Sequence, residues 1–172
     1  MNEPRTLTEA INRIRNKLVI LDWTDIVQGR ASIQTTQSTG QERPQTRPMV
    51  HVGNGEYLDC RPNDEYKSVL FFVAKDVEKS DYNQAAPKGH APNHIIRTSR
   101  PLTLIGWANL QKLPGYDDGS GFPELIKLDL KNSLRWVRCV TAIGDFQDGP
   151  LNEVFKPFVV SDLDRKYDRF LN

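Results

Sequence analysis

The sequence predicts a single α+β domain over residues 1–172, in which a mostly antiparallel or mixed sheet packs against an N-terminal helix and a second helix. The 172 residues are 38% hydrophobic and 26% charged, which is typical of one globular domain of this length. Apolar residues return at helical spacing near the N-terminus and again in the last third of the chain. Between these two regions, segments of strand length either alternate between apolar and polar residues or are apolar throughout.

The first helix is predicted at the N-terminus. Thr6 and Glu9 stand three residues apart, the spacing of a capping box, in which each satisfies a backbone N–H of the other. Apolar residues then recur at helical spacing at Leu7, Ala10, Ile11, Ile14 and Leu18. The β-branched residues around Trp23 predict an extended segment over residues 19–27. Alternation over residues 30–36 predicts a half-buried strand.

A β-hairpin and a central strand are predicted next. Residues 49–52 and 56–60 flank the sequence Gly53-Asn54-Gly55, and an Asn-Gly pair accepts the positive φ angles that a tight primed turn requires. Residues 66–74 form the most apolar segment of the chain. Their Val-Leu-Phe-Phe-Val run predicts a central strand that is covered on both faces.

Two polar stretches, residues 37–48 and residues 79–93, are predicted to be long flexible loops. Both are rich in polar residues and contain Gly and Pro, and loops of this length in a compact domain usually have a role or are disordered. Residues 94–108 then predict one long strand with a break at Pro101, because proline has no backbone N–H to donate.

The C-terminal part is predicted to contain a second helix and further short elements. Residues 113–121 are rich in Gly and Asp and indicate a turn, and Pro123 suits the first turn of a helix over residues 123–137. The apolar stripe of that helix is Ile126, Leu130, Leu134 and Val137. The remaining predictions are a strand over residues 138–143, a turn over 148–150, a strand over 154–160, and a short helix capped by Ser161 with Asp164.

Charge is balanced overall but is separated along the chain. Twenty-three basic residues against 22 acidic ones leave a net charge of +1, which gives no global attraction to nucleic acid or membrane. Residues 51–78 hold 3 basic and 6 acidic side chains (−3), whereas residues 79–112 hold 5 basic and 1 acidic (+4). Separated signs suit pairing between protein surfaces, and an ordinary solvated surface is the equally weighted alternative.

No membrane association and no secretion are expected. The longest apolar run spans six residues, 69–74, against the roughly 20 that a membrane-spanning helix needs. The polar opening Met-Asn-Glu-Pro does not resemble a signal peptide. Two cysteines, Cys60 and Cys139, suit a reducing compartment as small buried side chains.

No pattern in the sequence predicts a metal or phosphate site. His90 and His94 flank a proline in a polar loop, and Cys60 and Cys139 stand alone, so the four ligands of a structural zinc are missing. The Gly-rich turn over residues 115–121 lacks the Gly-Lys-Ser/Thr ending of a phosphate loop. Its Asp117 and Asp118 would repel an anion. The two aspartates could bind a hard cation, but one acidic pair is a common surface feature, and no cofactor and no metal are predicted.

Two weak catalytic groupings are open to an enzymatic interpretation. His51, Asp59 and Cys60 lie on the two arms of the predicted hairpin. A carboxylate beside the thiol, however, disfavours the thiolate that a nucleophile needs. Asp22 and Asp25 flank Trp23, and a carboxyl group near an indole can have a raised pKa. A structural role is the favoured interpretation for both groupings, and no catalytic residue is predicted.

Exposed basic residues supply the candidate contacts with other macromolecules. Long exposed loops with Arg and Pro carry function more often than scaffold positions do. A single-strand binding platform would need aromatic residues among these basic residues, and residues 94–100 contain none. The candidate subunit or DNA-lumen contacts are therefore Arg43, Arg47, Lys88, Arg97 and Arg100.

The order of the predicted elements resembles the small α+β ring-forming proteins of tailed-bacteriophage necks, in particular tail terminator (tail completion) proteins. The resemblance lies in the opening helix Leu7–Leu18 and the extended segment 94–108. It also includes the helix 123–137 with its following strand, and the closing Glu153-Val154-Phe155 stretch. It covers most of the chain as a pattern of elements.

The resemblance implies a structural virion protein without enzymatic activity, made in the host cytoplasm. Such a protein forms a homo-oligomeric ring, typically sixfold, which caps the tail tube, joins it to the head-side connector and lets DNA pass without sequence preference. Each subunit of a ring presents two different complementary faces. A small intracellular enzyme or a nucleic-acid accessory protein with an unrecognised site is the alternative.

Overall fold

The computed structural model describes residues 6–36, 45–75, 78–83, 95–113 and 121–144, together with Pro4, Gly115 and Phe146. Its helices are α1 (Leu7–Leu18) and α2 (Phe122–Leu134), with a short 3₁₀ turn at Leu110–Lys112. Its strands are β1 (Ile26–Thr36), β2 (Gln45–Gly53), β3 (Glu56–Asp59), β4 (Ser68–Ala74), β5 (Lys79–Asn83), β6 (Ile95–Ser99) and β7 (Leu102–Ala108).

The strands form a five-stranded sheet in the order β3-β2-β1-β4-β7, and β5 pairs with β6 in a separate two-stranded sheet. The β1–β4 pair is parallel, and every other pair in the described part of the chain is antiparallel. The predicted α+β class, with a mixed sheet and two helices, is confirmed. Residues 148–172, and with them the predicted turn, last strand and terminal helix, lie outside the described residues.

Helix α1 has the predicted bounds, but the segment after it is not extended. The backbone N–H of Glu9 donates to Oγ1 of Thr6 at 3.1 Å, so the Thr6 cap is present. The prediction of an extended segment from residue 19 is wrong as far as Asp25, because the chain makes turns there before β1 begins. The buried hydroxyl of Thr24 lies 2.9 Å from the carbonyl oxygen of Leu18 and 2.8 Å from that of Leu21, which satisfies carbonyls at the helix end.

Strand β1 is longer than predicted and belongs to two halves of the sheet. It pairs with β4 at Ile26, Val27 and Arg30, and from Ala31 onward it pairs with β2. From Val27 to Arg30, strand β1 advances by three residues, whereas β4 advances by only two, from Leu70 to Phe72. The extra residue forms a bulge in β1. Bulges bend a strand and increase its twist, and this one lies where β1 passes from its pairing with β4 to its pairing with β2.

The predicted hairpin is confirmed, and one predicted loop is partly wrong. Asn54 and Gly55 have φ angles of 50° and 79°, as a primed two-residue turn requires. Residues 45–48, which were expected to belong to the loop 37–48, are instead the start of β2. Pro48 is tolerated inside the sheet because its carbonyl accepts from the N–H of Cys60 at 3.0 Å, at the point where β3 ends. In an antiparallel strand, the N–H and the carbonyl of one residue point to the same side. The N–H that proline lacks would therefore also face the end of β3, where little pairing is lost.

The second predicted loop is also partly wrong, since residues 79–83 are strand β5. Their partner is β6, with Lys79 opposite Ser99 and Asn83 opposite Ile95. The predicted long strand 94–108 is divided between two sheets, and the break at Pro101 is confirmed. At the break, the guanidinium of Arg100 donates to Oε2 of Glu78 at 2.8 Å, which holds the base of the β5–β6 ribbon together.

Helix α2 is confirmed, but the strand predicted after it is wrong. The helix follows Gly121, whose φ of 72° is left-handed, and Pro123 lies in its first turn. It ends at Leu134, three residues earlier than predicted. The N–H of Val137 then donates to the carbonyl of Leu134, and that of Val140 donates to the carbonyl of Val137, so successive turns replace a strand in this segment.

The central strand β4 is buried on both faces, as predicted. Phe72 lies with α1, α2 and Trp23 in the core between the helices and the sheet. Phe71, on the other face, lies in a second core with Val50, Cys60 and Trp107. The segment 60–67, which connects β3 to β4, covers this second core, and the indole N–H of Trp107 donates to the carbonyl of Cys60 at 3.1 Å.

Replacing Gly106 with Ala is expected to destabilise the fold by about 1–3 kcal/mol through overpacking. Gly106 lies opposite Leu70 in the β4–β7 register, and a Cβ there would overlap the buried Leu70 side chain and lie 3.1 Å from the carbonyl oxygen of Val69. Gly144→Ala is the matched control, because its Cβ would meet nothing within 4 Å. Urea unfolding measures both, and equal midpoints would contradict the prediction.

Candidate assembly surfaces

The tip of the β2–β3 hairpin presents apolar side chains to solvent. Val52 is 49% exposed, Leu58 47% and Tyr57 42%, and Glu56 stands among them. We call Val52, Glu56, Tyr57 and Leu58 the hairpin tip. Single exposed apolar residues are normal, and the presence of three on one short hairpin makes it a candidate interaction surface.

Two apolar residues of the hairpin tip, Tyr57 and Leu58, have cross-strand partners on β2. Leu58 is paired with Val50, which is buried in the second core. Tyr57 is paired with His51, and their rings meet edge to face with centroids 5.1 Å apart. The two neighbours Tyr57 and Leu58 therefore lie on opposite faces of the hairpin, and both are anchored by a cross-strand partner.

A groove of about 350 Å³ opens beside the C-terminal end of α2. We call it the α2 groove, and it is lined by Lys131, Leu134, Arg135, Val140, Thr141, Ala142 and Ile143. Its apolar walls come from the end of the helix and from the segment that follows. Both charged residues that line it, Lys131 and Arg135, are basic and exposed.

Trp136 is beside the α2 groove and has the most exposed large apolar side chain among the described residues, at 76%. The guanidinium of Arg135 lies 4.7 Å from the centre of its ring, a cation–π contact at the surface. Trp136 lies in the turn that follows α2 and is not part of the apolar stripe that faces the core. An exposed indole beside a basic groove is typical of the aromatic anchors that dominate interface energies.

Two of the five predicted contact residues form ion pairs within the subunit. Nη1 of Arg47 lies 3.6 Å from Oδ2 of Asp59, and Arg100 pairs with Glu78. Arg97 is opposite Asp81 in the β5–β6 register. Arg43 and Lys88 lie outside the described residues. Of the three candidates in the described part of the chain, Arg47 lies on β2 in the five-stranded sheet, whereas Arg97 and Arg100 lie on and directly after β6.

The grouping of His51, Asp59 and Cys60 is not assembled as a catalytic site. Asp59 accepts from the backbone N–H, Nε and Nη2 of Arg61 at 2.8–2.9 Å, so its carboxylate is occupied by an ion pair. Cys60 is fully buried, and its Sγ donates to Oε1 of Gln28 at 3.1 Å. His51 is exposed and lies against Tyr57.

Cys60 is expected to be chemically inert in the folded protein. Burial, with a further contribution from the Asp59 carboxylate, raises the pKa of its thiol from 9.0 to about 12, and the thiolate is the reactive form. A Cys139→Ser variant leaves Cys60 as the one thiol. At pH 8 it should react with Ellman's reagent only after denaturation, and rapid labelling of the native protein would contradict this.

The same pKa shift predicts a dependence of stability on pH. Because the folded pKa is above the unfolded one, the folded state keeps a proton that the unfolded state has lost between about pH 9 and pH 12. The free energy of unfolding therefore loses this contribution as pH rises through that window, and keeps it in full below pH 9. Cys60→Ala should show a shallower alkaline loss than the parent chain in thermal unfolding.

The Asp22 and Asp25 pair has a structural arrangement. Both side chains are exposed, and Oδ2 of Asp25 accepts from the backbone N–H of Lys67 at 3.1 Å. The carbonyl of Asp22 accepts from Nζ of Lys67 at 2.8 Å. The indole of Trp23 turns into the core instead and donates to Oδ2 of Asp129 at 3.0 Å. These contacts attach the segment after α1 to the start of β4.

No metal centre is formed by the part of the chain that the structure describes, where no three His, Cys, Asp or Glu side chains come close enough to share an ion. His90, His94, Asp117 and Asp118 lie outside it. Among the described residues, neither α1 nor α2 has the length and apolar character to cross a membrane, and no other helix there does.

Comparisons with protein-family models, with curated proteins and with solved structures found no match to this chain. Sequence analysis missed both the hairpin tip and the α2 groove. The sequence contained one signal for the exposure of Trp136, because this residue falls outside the apolar stripe formed by Ile126, Leu130, Leu134 and Val137.

Proposed function

We propose that this chain is a structural assembly subunit that forms a homo-oligomeric ring, of the kind that tail terminator proteins form at the neck of tailed phages. The observation that supports the proposal is the presence of two different exposed apolar surfaces on one subunit. The hairpin tip carries an acidic residue, Glu56, and the α2 groove carries two basic ones, Lys131 and Arg135. Two different complementary surfaces on one chain are what a closed ring requires.

In this role the ring belongs to the virion. It is positioned between the tail tube and the head-side connector, and its lumen passes DNA without reading its sequence. Arg43, Arg47, Lys88, Arg97 and Arg100 are the residues proposed for subunit or lumen contacts. The ion pairs of Arg47 and Arg100 are compatible with that role, because an ion-paired arginine keeps further donors for a phosphate or a neighbouring carboxylate.

Light scattering across a concentration series tests the proposal. A mass that rises to a fixed multiple of 19.6 kDa, with annular particles in electron microscopy, is the expected result. Addition of the tail-tube and connector proteins of the same phage should drive the same assembly at lower concentration. A monomer at every concentration, both alone and with those two proteins, would contradict the proposal.

The α2 groove also favours a second function, that of a nucleic-acid accessory protein. Exposed Trp136 with Arg135 and Lys131 combines a stacking surface with positive charge, which is how sequence-tolerant single-strand binders hold DNA. Fluorescence anisotropy with a labelled oligonucleotide at two salt concentrations tests this function. Binding that falls steeply with salt and is lost in Arg135→Ala would support it, and no binding at low salt would exclude it.

A further inference from the structure

The α2 groove has a composition that specifies the chemistry of its occupant. Leu134, Val140 and Ile143 supply apolar walls that favour apolar side chains. Lys131 and Arg135 lie at the same groove, and both are exposed, so their charges favour a carboxylate. The occupant is therefore an apolar segment that carries a negative charge.

The hairpin tip has that composition and is outside the α2 groove of its own subunit. Val52, Tyr57 and Leu58 are apolar and exposed, and Glu56 is an exposed carboxylate in the same four-residue strand as Tyr57 and Leu58. The residues that line the groove all belong to α2 and the segment after it. A contact between the two surfaces therefore joins two copies of the chain.

We propose that the hairpin tip of one copy inserts into the α2 groove of the next copy, with Glu56 facing Lys131 and Arg135. This inference rests on the proposed function and identifies the contact that builds the ring. The contact is heterologous, because each subunit offers its tip to one neighbour and its groove to the other. Such contacts close into a ring when the rotation between neighbours divides a full turn.

Both surfaces already exist in the single subunit, which favours this contact over one made by segments that must first be ordered. The tip is a primed two-residue turn between paired strands, and the groove lies between the end of α2 and residues 140–143. Preformed surfaces lose less conformational entropy on association. The opposite charges set the register of the contact, and salt should weaken it.

Charge reversal on each side, followed by mixing, tests the contact. The tip variant is Glu56→Lys, and the groove variant carries Lys131→Glu with Arg135→Glu. Each variant alone places like charges at every interface and should associate about 30-fold more weakly than the parent chain. In a mixture, the basic tip of one variant meets the acidic groove of the other, and the acidic tip meets the basic groove. The two variants should therefore assemble in alternation, with a dissociation constant within about threefold of the parent value.

Two further variants serve as matched controls. Glu65→Lys reverses the charge of an exposed residue close to the hairpin, and Lys17→Glu does so on the exposed face of α1. Both should assemble like the parent chain. Circular dichroism shows that each variant is folded, and the milder variant Glu56→Gln, expected to weaken association about threefold, replaces any reversal that unfolds the protein.

The outcomes separate this contact from the proposed function. If the parent chain stays monomeric, the proposed function fails. If the parent chain assembles and both reversals assemble equally well, the ring exists but this contact is overturned. Loss of oligonucleotide binding in the groove variant, with its assembly unchanged, would overturn the contact in favour of nucleic acid as the occupant.

Discussion

Replacing Trp136 with Ala is expected to weaken self-association about 30- to 1,000-fold while the folding free energy changes by less than about 0.5 kcal/mol. Trp136 adjoins Arg135 of the α2 groove, and truncating a Trp that acts as an interface hot spot typically costs about 2–4 kcal/mol of binding free energy, which corresponds to that range. The indole is 76% exposed in the single subunit, so the fold has little to lose. Its neighbour Arg135 stays in place beside the α2 groove.

The measurement is sedimentation or light scattering over a concentration series, together with urea unfolding of the same samples. Leu128→Ala is the control, because Leu128 is an exposed apolar residue whose chain neighbours, Lys127 and Asp129, do not line the α2 groove, whereas Arg135, the neighbour of Trp136, does. Unchanged association of Trp136→Ala would show that the exposed indole does not lie in the interface. A large loss of stability would show instead that Trp136 supports the fold.

The elements that could be predicted are those determined by residues close together in the chain. Helix α1 has its predicted bounds because its cap, Thr6, and its apolar stripe all lie within one short segment. The hairpin turn at Asn54 and Gly55 was predicted for the same reason, since the positive φ angles are a local property of these residues. Strand β4 was predicted from an uninterrupted apolar run.

The elements that could not be predicted depend on partners far away in the sequence. Strand β5 is polar, and it is a strand because β6, twelve or more residues later, supplies its backbone partners. Pro48 and its polar neighbours predict a loop over residues 45–48, yet strand β1 pairs with these residues. The bulge in β1 arises because its residues do not match those of β4 one to one. The β-propensity of single residues does not encode this difference in register.

The surfaces depend on distant partners in the same way. Arg47 is a candidate because it stands in a predicted polar loop, and Arg100 because it stands in the basic segment 79–112, but the carboxylates beside them, Asp59 and Glu78, are brought near by strand pairing. Exposure of Val52 and Leu58 follows from the end of the sheet at β3, where no further described strand covers them. A sequence reveals that a hairpin is apolar, whereas only the assembled sheet reveals which residues remain uncovered.

Trp23→Ala, unlike Trp136→Ala, is expected to affect the fold itself. Replacing this buried indole should destabilise the fold by about 3–5 kcal/mol. Trp23 is 4% exposed, and its ring meets that of Phe122 edge to face with centroids 6.1 Å apart. Its N–H donates to Asp129, and its carbonyl accepts from the hydroxyl of Ser68 at 2.8 Å. One side chain therefore joins α2 to the segment between α1 and β1, and removing it opens a cavity in the core between helices and sheet.

Trp23→Phe separates packing from hydrogen bonding at this site. Phenylalanine keeps most of the ring contact with Phe122 but removes the donor to Asp129, so the expected loss is about 1–2 kcal/mol. Urea unfolding followed by circular dichroism measures both variants, and Trp136→Ala is the control at an exposed indole. Equal losses for Ala and Phe would assign the whole effect to the hydrogen bond. A loss in Trp23→Ala as small as that of Trp136→Ala would contradict the burial of Trp23, and with it the packing of α2 against the sheet.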